Sequence, residues 1–115
     1  EDVLSVSPDI TVEELSKFMF ENKHLGYPVV QGNSLKGIVT FTDIRNILPN
    51  DRFAILVSDV MTRDIISVNP EDTASDAFKV MTLNNIGRLL VVSDGELVGI
   101  LSRSDLMRTM MLLNE

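Results

Sequence analysis

Apolar side chains recur at helical spacing in two places. Val12, Leu15, Phe18 and Met19 trace one face, and Ala74, Ala77, Phe78 and Met81 trace another at i, i+3, i+4 and i+7. Both faces are expected to be core. Thr11 with Glu14, and Thr73 with Asp76, stand where a hydroxyl and a carboxylate can satisfy the orphan backbone amides of a helix start. Ahead of each helix lies a short apolar stretch, Val3 to Val6 and Ile65 to Val68, stopped by Pro8 or Pro70 and read as a strand entering a turn. After each helix come two β-rich runs, Tyr27 to Val30 with Leu35 to Val39, and Leu89 to Val92 with Leu97 to Leu101. Gly32-Asn33 and Asp94-Gly95 separate the runs, so each pair predicts a hairpin. A second helix is expected from near Thr42, ending at Pro49, and from near Ser104, running on through Leu106, Met107, Met110 and Met111.

The two halves repeat. At an offset of 62, Pro8 falls on Pro70, Thr11 on Thr73, Lys17 on Lys79, Met19 on Met81, Asn22 on Asn84, Val29 on Val91, Gly37 on Gly99 and Asp43 on Asp105, without a gap. One register held that long reads as a true internal repeat, and two units suit a closed pseudo-two-fold pair better than an open solenoid. Residues 1–48 form the first strand-helix-strand-strand-helix unit, 49–56 the linker and 57–115 the second unit. The fold class is α/β (α+β). A half of about 50 residues buries too little surface to be comfortable alone, so the halves are expected to pack together.

Composition narrows the chemistry. Cysteine is absent and His24 is the single histidine, which removes disulfides, thiolate sites, histidine-rich zinc sites and a conventional Ser-His-Asp triad; no metal site is expected. A net charge of -7 argues against nucleic acid, although local donors can still hold a small anion. No apolar run approaches a bilayer-spanning length, and the acidic residues Asp2, Asp9, Glu13 and Glu14 make a secretory leader at the start an unsuitable reading.

The element order, with Gly37-Ile-Val-Thr40-Phe-Thr-Asp43 and Gly99-Ile-Leu-Ser102-Arg-Ser-Asp105, resembles the cystathionine-beta-synthase (CBS) domain, which occurs in tandem as the Bateman module. Asp59-Val-Met-Thr62 through Val68-Asn-Pro70 is similar to the opening of such a domain, and Gly87-Arg88-Leu-Leu-Val-Val92 to its second strand. The resemblance implies two small units packed sheet to sheet, clefts between them that hold adenosine-containing ligands, homodimers, and no catalysis. It further implies that backbone beside the first strands recognises adenine while apolar side chains sandwich the ring, which makes Val6, Ile66 and Val68 candidates beside their plain role as core.

Within that expectation the carboxylates of Asp43 and Asp105 suit the paired hydroxyls of a ribose, and Thr40 and Ser102 can reach the sugar or phosphate. The same spacing also makes an ordinary helix cap, and the two roles can coexist. Arg88 stands where nucleotide-binding relatives carry a phosphate-binding arginine, and a guanidinium can fork onto a phosphate. Its repeat partner is Gly26, so the two sites are expected to be unequal, with a phosphate-bearing ligand preferring the one Arg88 reaches. Surface solvation is the alternative for Arg88 and the favoured reading for Arg103. His24 is read as packed before a strand rather than as a pH switch. The methionine-rich last helix, with Leu106 and Leu113, is divided between core and a subunit interface.

The favoured function is a non-catalytic regulatory module that binds AMP, ADP, ATP or S-adenosylmethionine, needs no cofactor, and regulates an effector in the same or a partner chain. A structural dimerisation module is the alternative. Glu21 to Val30, Pro49 to Arg52 and Ser102 to Leu106 resemble the CBS pair attached to site-two-type membrane zinc proteases. That parent would place the module in the cytoplasm or on the cytoplasmic side of a membrane. Channels and transporters, inosine-monophosphate dehydrogenases, kinase subunits and stand-alone modules stay open as parents.

Overall fold

A computed structural model describes residues 4–113 as two compact units, Leu4–Ile65 and Ile66 onward. The order in the first unit is α1 (Val12–Asn22), β1 (Gly26–Gln31), β2 (Ser34–Thr40), α2 (Phe41–Ile44), a 3-10 turn (Pro49–Asp51) and α3 (Val57–Val60). The second unit holds β3 (Ser67–Val68), α4 (Ala74–Asn84), β4 (Arg88–Ser93), β5 (Glu96–Ser102) and α5 (Arg103–Leu113). The mixed α/β class follows from this alternation.

Helix α1 starts as its sequence suggests. The Glu14 amide donates to Thr11 Oγ1 at 3.1 Å and the Thr11 amide to Glu14 Oε1 at 2.8 Å, a reciprocal capping box. In α4 the Asp76 amide donates to Thr73 Oγ1 at 3.0 Å. Both helices end on a left-handed residue, Lys23 (φ 61°) and its repeat partner Asn85 (φ 53°), which turns the chain back into a strand.

The hairpins carry the repeat into backbone detail. β1 and β2 pair antiparallel with a register shift between Val29 and Val30; β4 and β5 pair the same way with a shift between Val91 and Val92. These are bulges at equivalent positions. Asp94 and Gly95 both have positive φ, 52° and 81°, giving a tight turn whose twist suits a hairpin.

Three expectations need correction. Of the expected strand Val3 to Val6, Val3 lies outside the described residues and Val6 makes a single parallel bridge to Val29. Of Ile65 to Val68, only Ser67 and Val68 pair as strand, parallel to Leu90 and Val91. The second helix of the first unit stops at Ile44 instead of reaching Pro49. Arg52 explains the early stop: its Nε donates to Ile47 O at 3.0 Å and Nη2 to Ile44 O at 3.3 Å, taking carbonyls a longer helix would use. The same guanidinium reaches Ser16 Oγ on α1 at 2.8 Å, tying both helices to the linker.

Residues 57–65 open the second sequence repeat, yet they pack in the first unit. Val57 N donates to Ile10 O at 2.9 Å and Ser58 N to Pro8 O at 3.0 Å, while Ile38 and Thr62 exchange both backbone hydrogen bonds. Val57 is fully buried with Val12, Leu15, Val29, Val39 and Ile44. The second core gathers Val68, Ala77, Met81, Leu89 and Leu106.

Tyr27 sits in the first core, edge-on to Phe18 with ring centroids 5.0 Å apart, and its hydroxyl has no hydrogen-bond partner among the described residues. Burial pushes the phenol above its usual value of 10.0, opposed in part by the His24 backbone. The folded state therefore holds this proton more tightly than the unfolded chain. Its contribution to stability is full below the unfolded pKa of 10.0 and is lost as pH rises toward the folded pKa. Denaturation titrations at successive alkaline pH values should show stability falling above about pH 10. Tyr27→Phe, which removes the only tyrosine, should flatten that fall.

Candidate functional site

Each unit places a hydroxyl at the end of its last strand and an aspartate one turn into the following helix, but the two motifs close differently. In the first unit the Thr40 amide and hydroxyl both donate to Asp43 Oδ2, at 2.8 and 3.2 Å. The Asp43 carboxylate is folded back onto its own cap and half-buried. In the second unit the Ser102 hydroxyl accepts from the Asp105 amide at 3.1 Å, leaving the Asp105 carboxylate turned outward. Its Oδ1 accepts from Arg108 Nη1 at 3.3 Å, with both side chains more than half exposed. Such a pair contributes little and yields readily to a competing ligand. Asp105 thus offers acceptor oxygens that Asp43 spends locally.

Strand register supplies the next residue. Arg88 lies directly opposite Ser102 across β4 and β5, as Gly26 lies opposite Thr40 across β1 and β2. Arg88 is exposed and has no ion-pair partner among the described residues. The structure therefore brings Arg88, Ser102 and Asp105 together within one unit, and Thr40 with Asp43 in the other.

Arg103, expected to be a solvated surface residue, is instead half-buried. Its guanidinium lies 5.9 Å from the Phe78 ring centroid and donates through Nη2 to Ile86 O at 3.1 Å, while its amide donates to Gly87 O at 3.0 Å. These contacts hold the Ile86-Gly87 turn that delivers Arg88. The backbone part of this arrangement repeats in the first unit, where the amide of Phe41, the partner of Arg103, donates to Leu25 O at 2.7 Å.

Charge separates the two motifs further. Arg88 lies opposite Ser102 and Arg108 pairs with Asp105, whereas their repeat partners Gly26 and Asn46 carry no charge; the first motif has instead Arg45, where the second has Met107. In a chain with ten basic residues and a net charge of -7, Arg88 and Arg108 together are a local concentration of donors.

The adenine candidates stand apart from that cluster in character. Val6 is buried, and both its backbone groups are committed, its amide to Pro28 O at 3.0 Å and its carbonyl to the Val30 amide at 2.9 Å. Val68 is buried in β3, and Ile66 just before it is 38% exposed. His24 is exposed, with its ring 6.2 Å from that of Tyr27. Met107 and Met111 are exposed on α5, and Leu106 is buried. Among the described residues no cluster of acidic or histidine side chains could hold a metal ion, and no helix is long and apolar enough to cross a membrane.

Comparison with known proteins gives a consistent picture. The sequence profile of the CBS domain matches residues 1–50 and 57–112. An inosine-5'-monophosphate dehydrogenase of Korarchaeum cryptofilum is 42% identical over 105 residues, covering 90% of this chain and 21% of that protein. A zinc metalloprotease of Methanocaldococcus jannaschii is 33% identical over 108 residues, covering 94% of this chain and 29% of the protease. The chain thus spans about a fifth to a third of the length of these relatives. Among solved structures, CBSX2 in complex with AMP superposes with a TM-score of 0.80 at 27% identity, covering 99% of this chain and 91% of that one.

Proposed function

The chain belongs to the CBS domain family, as a tandem pair forming a non-catalytic regulatory module, and on that premise we propose that it senses a phosphate-bearing adenosine ligand at its second motif. Asp105 accepts from the ribose hydroxyls, Ser102 reaches sugar or phosphate, and Arg88 forks onto the phosphate. The observation that supports this most is Arg88 opposite Ser102 across β4 and β5, where the first motif has Gly26 opposite Thr40. Thr40 and Asp43 form the weaker counterpart, since the Asp43 carboxylate already accepts two hydrogen bonds from Thr40. Ile66 and Val68 contribute the apolar side of the adenine contact. Val6 contributes only its side chain, its backbone groups being taken.

Binding biases an effector in the same or a partner chain on the cytoplasmic side. A zinc protease and a nucleotide dehydrogenase are effectors of the kind its relatives carry. The exposed Met107, Met111 and Leu112 supply a homodimer surface on α5. That surface also carries the second reading, a dimerisation module whose aspartates serve only as caps.

Melting followed across AMP, ADP, ATP and S-adenosylmethionine separates the two. A ligand at a hundred times its dissociation constant adds about 2.7 kcal/mol. Arg88→Ala is expected to weaken a nucleotide by about tenfold or more, since a charge-assisted hydrogen bond contributes about 1.5 to 3 kcal/mol. Asp105→Asn should weaken every ribose-bearing ligand and leave the unliganded melting point nearly unchanged, its carboxylate being exposed. Flat melting across the panel refutes the sensor and leaves the dimerisation module.

A further inference from the structure

Arg103 opens α5 with its guanidinium folded inward rather than left in water. Of the five N–H groups on that side chain, only one, on Nη2, donates to the protein among the described residues, to Ile86 O at 3.1 Å. The Nε is buried without a hydrogen-bond partner, and no carboxylate pairs with the group among the described residues. A cation placed this way costs free energy that an apolar side chain avoids, and the repeat shows the apolar solution, Phe41, at the partner position. Packing alone therefore does not account for an arginine here.

The one side-chain bond that Arg103 makes lies two residues ahead of Arg88. Ile86 and Gly87 lead into β4, and a Cβ at Gly87 would meet nothing within 4 Å, so side-chain packing does not fix this joint. Arg103 supplies the hold instead, its Nη2 on Ile86 O and its amide on Gly87 O at 3.0 Å, while the Ile86 amide donates to Met81 O at 3.0 Å. In the first unit the matching turn before Gly26 is tied to the partner of Arg103 by the backbone bond alone, Phe41 N to Leu25 O at 2.7 Å. A guanidinium is available there too, but that of Arg52 is committed to Ser16 Oγ, Ile44 O and Ile47 O, none of them in the turn. The side-chain hold thus occurs in the unit whose next residue is Arg88, and not in the one that has Gly26.

We propose that Arg103 is a positioning residue for phosphate selectivity: without touching the ligand, it fixes Ile86 and Gly87 and so holds Arg88 in place to receive a phosphate. The inference rests on the nucleotide reading above and adds to it the residue that sets discrimination between phosphorylated and unphosphorylated ligands. Its physical basis is preorganisation. An exposed arginine beside an unpacked joint must be ordered when it binds, and that ordering opposes affinity. Fixing the backbone beforehand removes part of the opposition, and the benefit falls only on ligands that reach Arg88. AMP gains from Arg103; adenosine, which has no phosphate, does not.

Calorimetric affinities for AMP and adenosine test it on the full chain carrying Arg103→Met, Arg103→Gln, Arg88→Ala, or Arg88→Ala with Arg103→Met. Each Arg103 substitution is expected to lower the preference for AMP over adenosine by about threefold or more, with adenosine affinity kept within about twofold. If the methionine variant fails to fold, the glutamine variant carries the test. The double substitution should show the same preference as Arg88→Ala alone, because the two residues act on one interaction. Equal loss of both ligands would mean a merely structural role and overturns the proposal, as does an unchanged preference. A further loss of preference in the double variant would mean that Arg103 acts on the phosphate independently of Arg88, and overturns it too. Hydrogen exchange in the ligand-free chain gives a reading that needs no nucleotide. The amide of residue 103, bonded to Gly87 O, should exchange about tenfold faster in Arg103→Gln, while the Phe41 amide keeps its rate. An unchanged rate at residue 103 overturns this inference alone, whereas failure of the unsubstituted chain to bind AMP overturns the nucleotide reading on which it rests.

Discussion

Gly37→Ala is expected to destabilise the protein by about 2–4 kcal/mol, the cost of forcing a side chain into a packed position together with loss of adjacent hydrogen bonds. A Cβ at this glycine would lie 2.5 Å from the Thr62 carbonyl oxygen and 3.1 Å from Met61 Sδ. The methionine can swing aside, but the carbonyl belongs to backbone held by two hydrogen bonds, Ile38 N to Thr62 O at 2.9 Å and Thr62 N to Ile38 O at 2.8 Å. Accommodating the methyl therefore breaks the contact that docks residues 61–62 onto β2. Gly87→Ala is the control, since a Cβ there meets nothing within 4 Å among the described residues. Urea denaturation of both variants measures the difference, and a loss below about 0.5 kcal/mol at Gly37 would show that the 61–62 segment is not held as described.

The second large effect is expected at Leu15→Ala. Leu15 is fully buried on α1 among Val12, Met19, Val29 and Ile44, and leucine-to-alanine changes at such sites cost about 2–5 kcal/mol. Its repeat partner, Ala77, is already alanine and lines a cavity of about 450 Å³ in the second unit. The reverse change, Ala77→Leu, should fill part of that space and raise stability by about 1 kcal/mol. Opposite signs for the two exchanges would follow from one packing difference. Destabilisation by both would mean that the second unit needs Ala77 for a reason other than room.

Much of this architecture was legible because the repeat tests every assignment twice. Helices α1 and α4 announced themselves through paired apolar faces and threonine caps, and the hairpins through Gly32-Asn33 and Asp94-Gly95. The short α2 was not legible, since its early stop depends on Arg52, a residue eight positions past Ile44 whose guanidinium acts through space. Residues 57–60 read as the lead-in of the second unit because sequence similarity follows the repeat, whereas their backbone bonds go to Pro8 and Ile10 and Val57 enters the first core.

At the site, the residue types were visible and their division of labour was not. Thr40-x-x-Asp43 and Ser102-x-x-Asp105 have the same spacing, yet one carboxylate caps its own threonine while the other faces outward. Arg103 was underrated because its value comes from the Phe78 ring and the Ile86 carbonyl, which only the fold brings beside it.

Titration of the labelled chain with AMP and, separately, with adenosine probes the central assignment most directly. The largest amide shifts are expected at Gly87 to Leu89 and Ser102 to Asp105, with AMP bound about tenfold or more tightly than adenosine through its phosphate. Equal affinities, or shifts concentrated at Thr40 to Asp43, would contradict it.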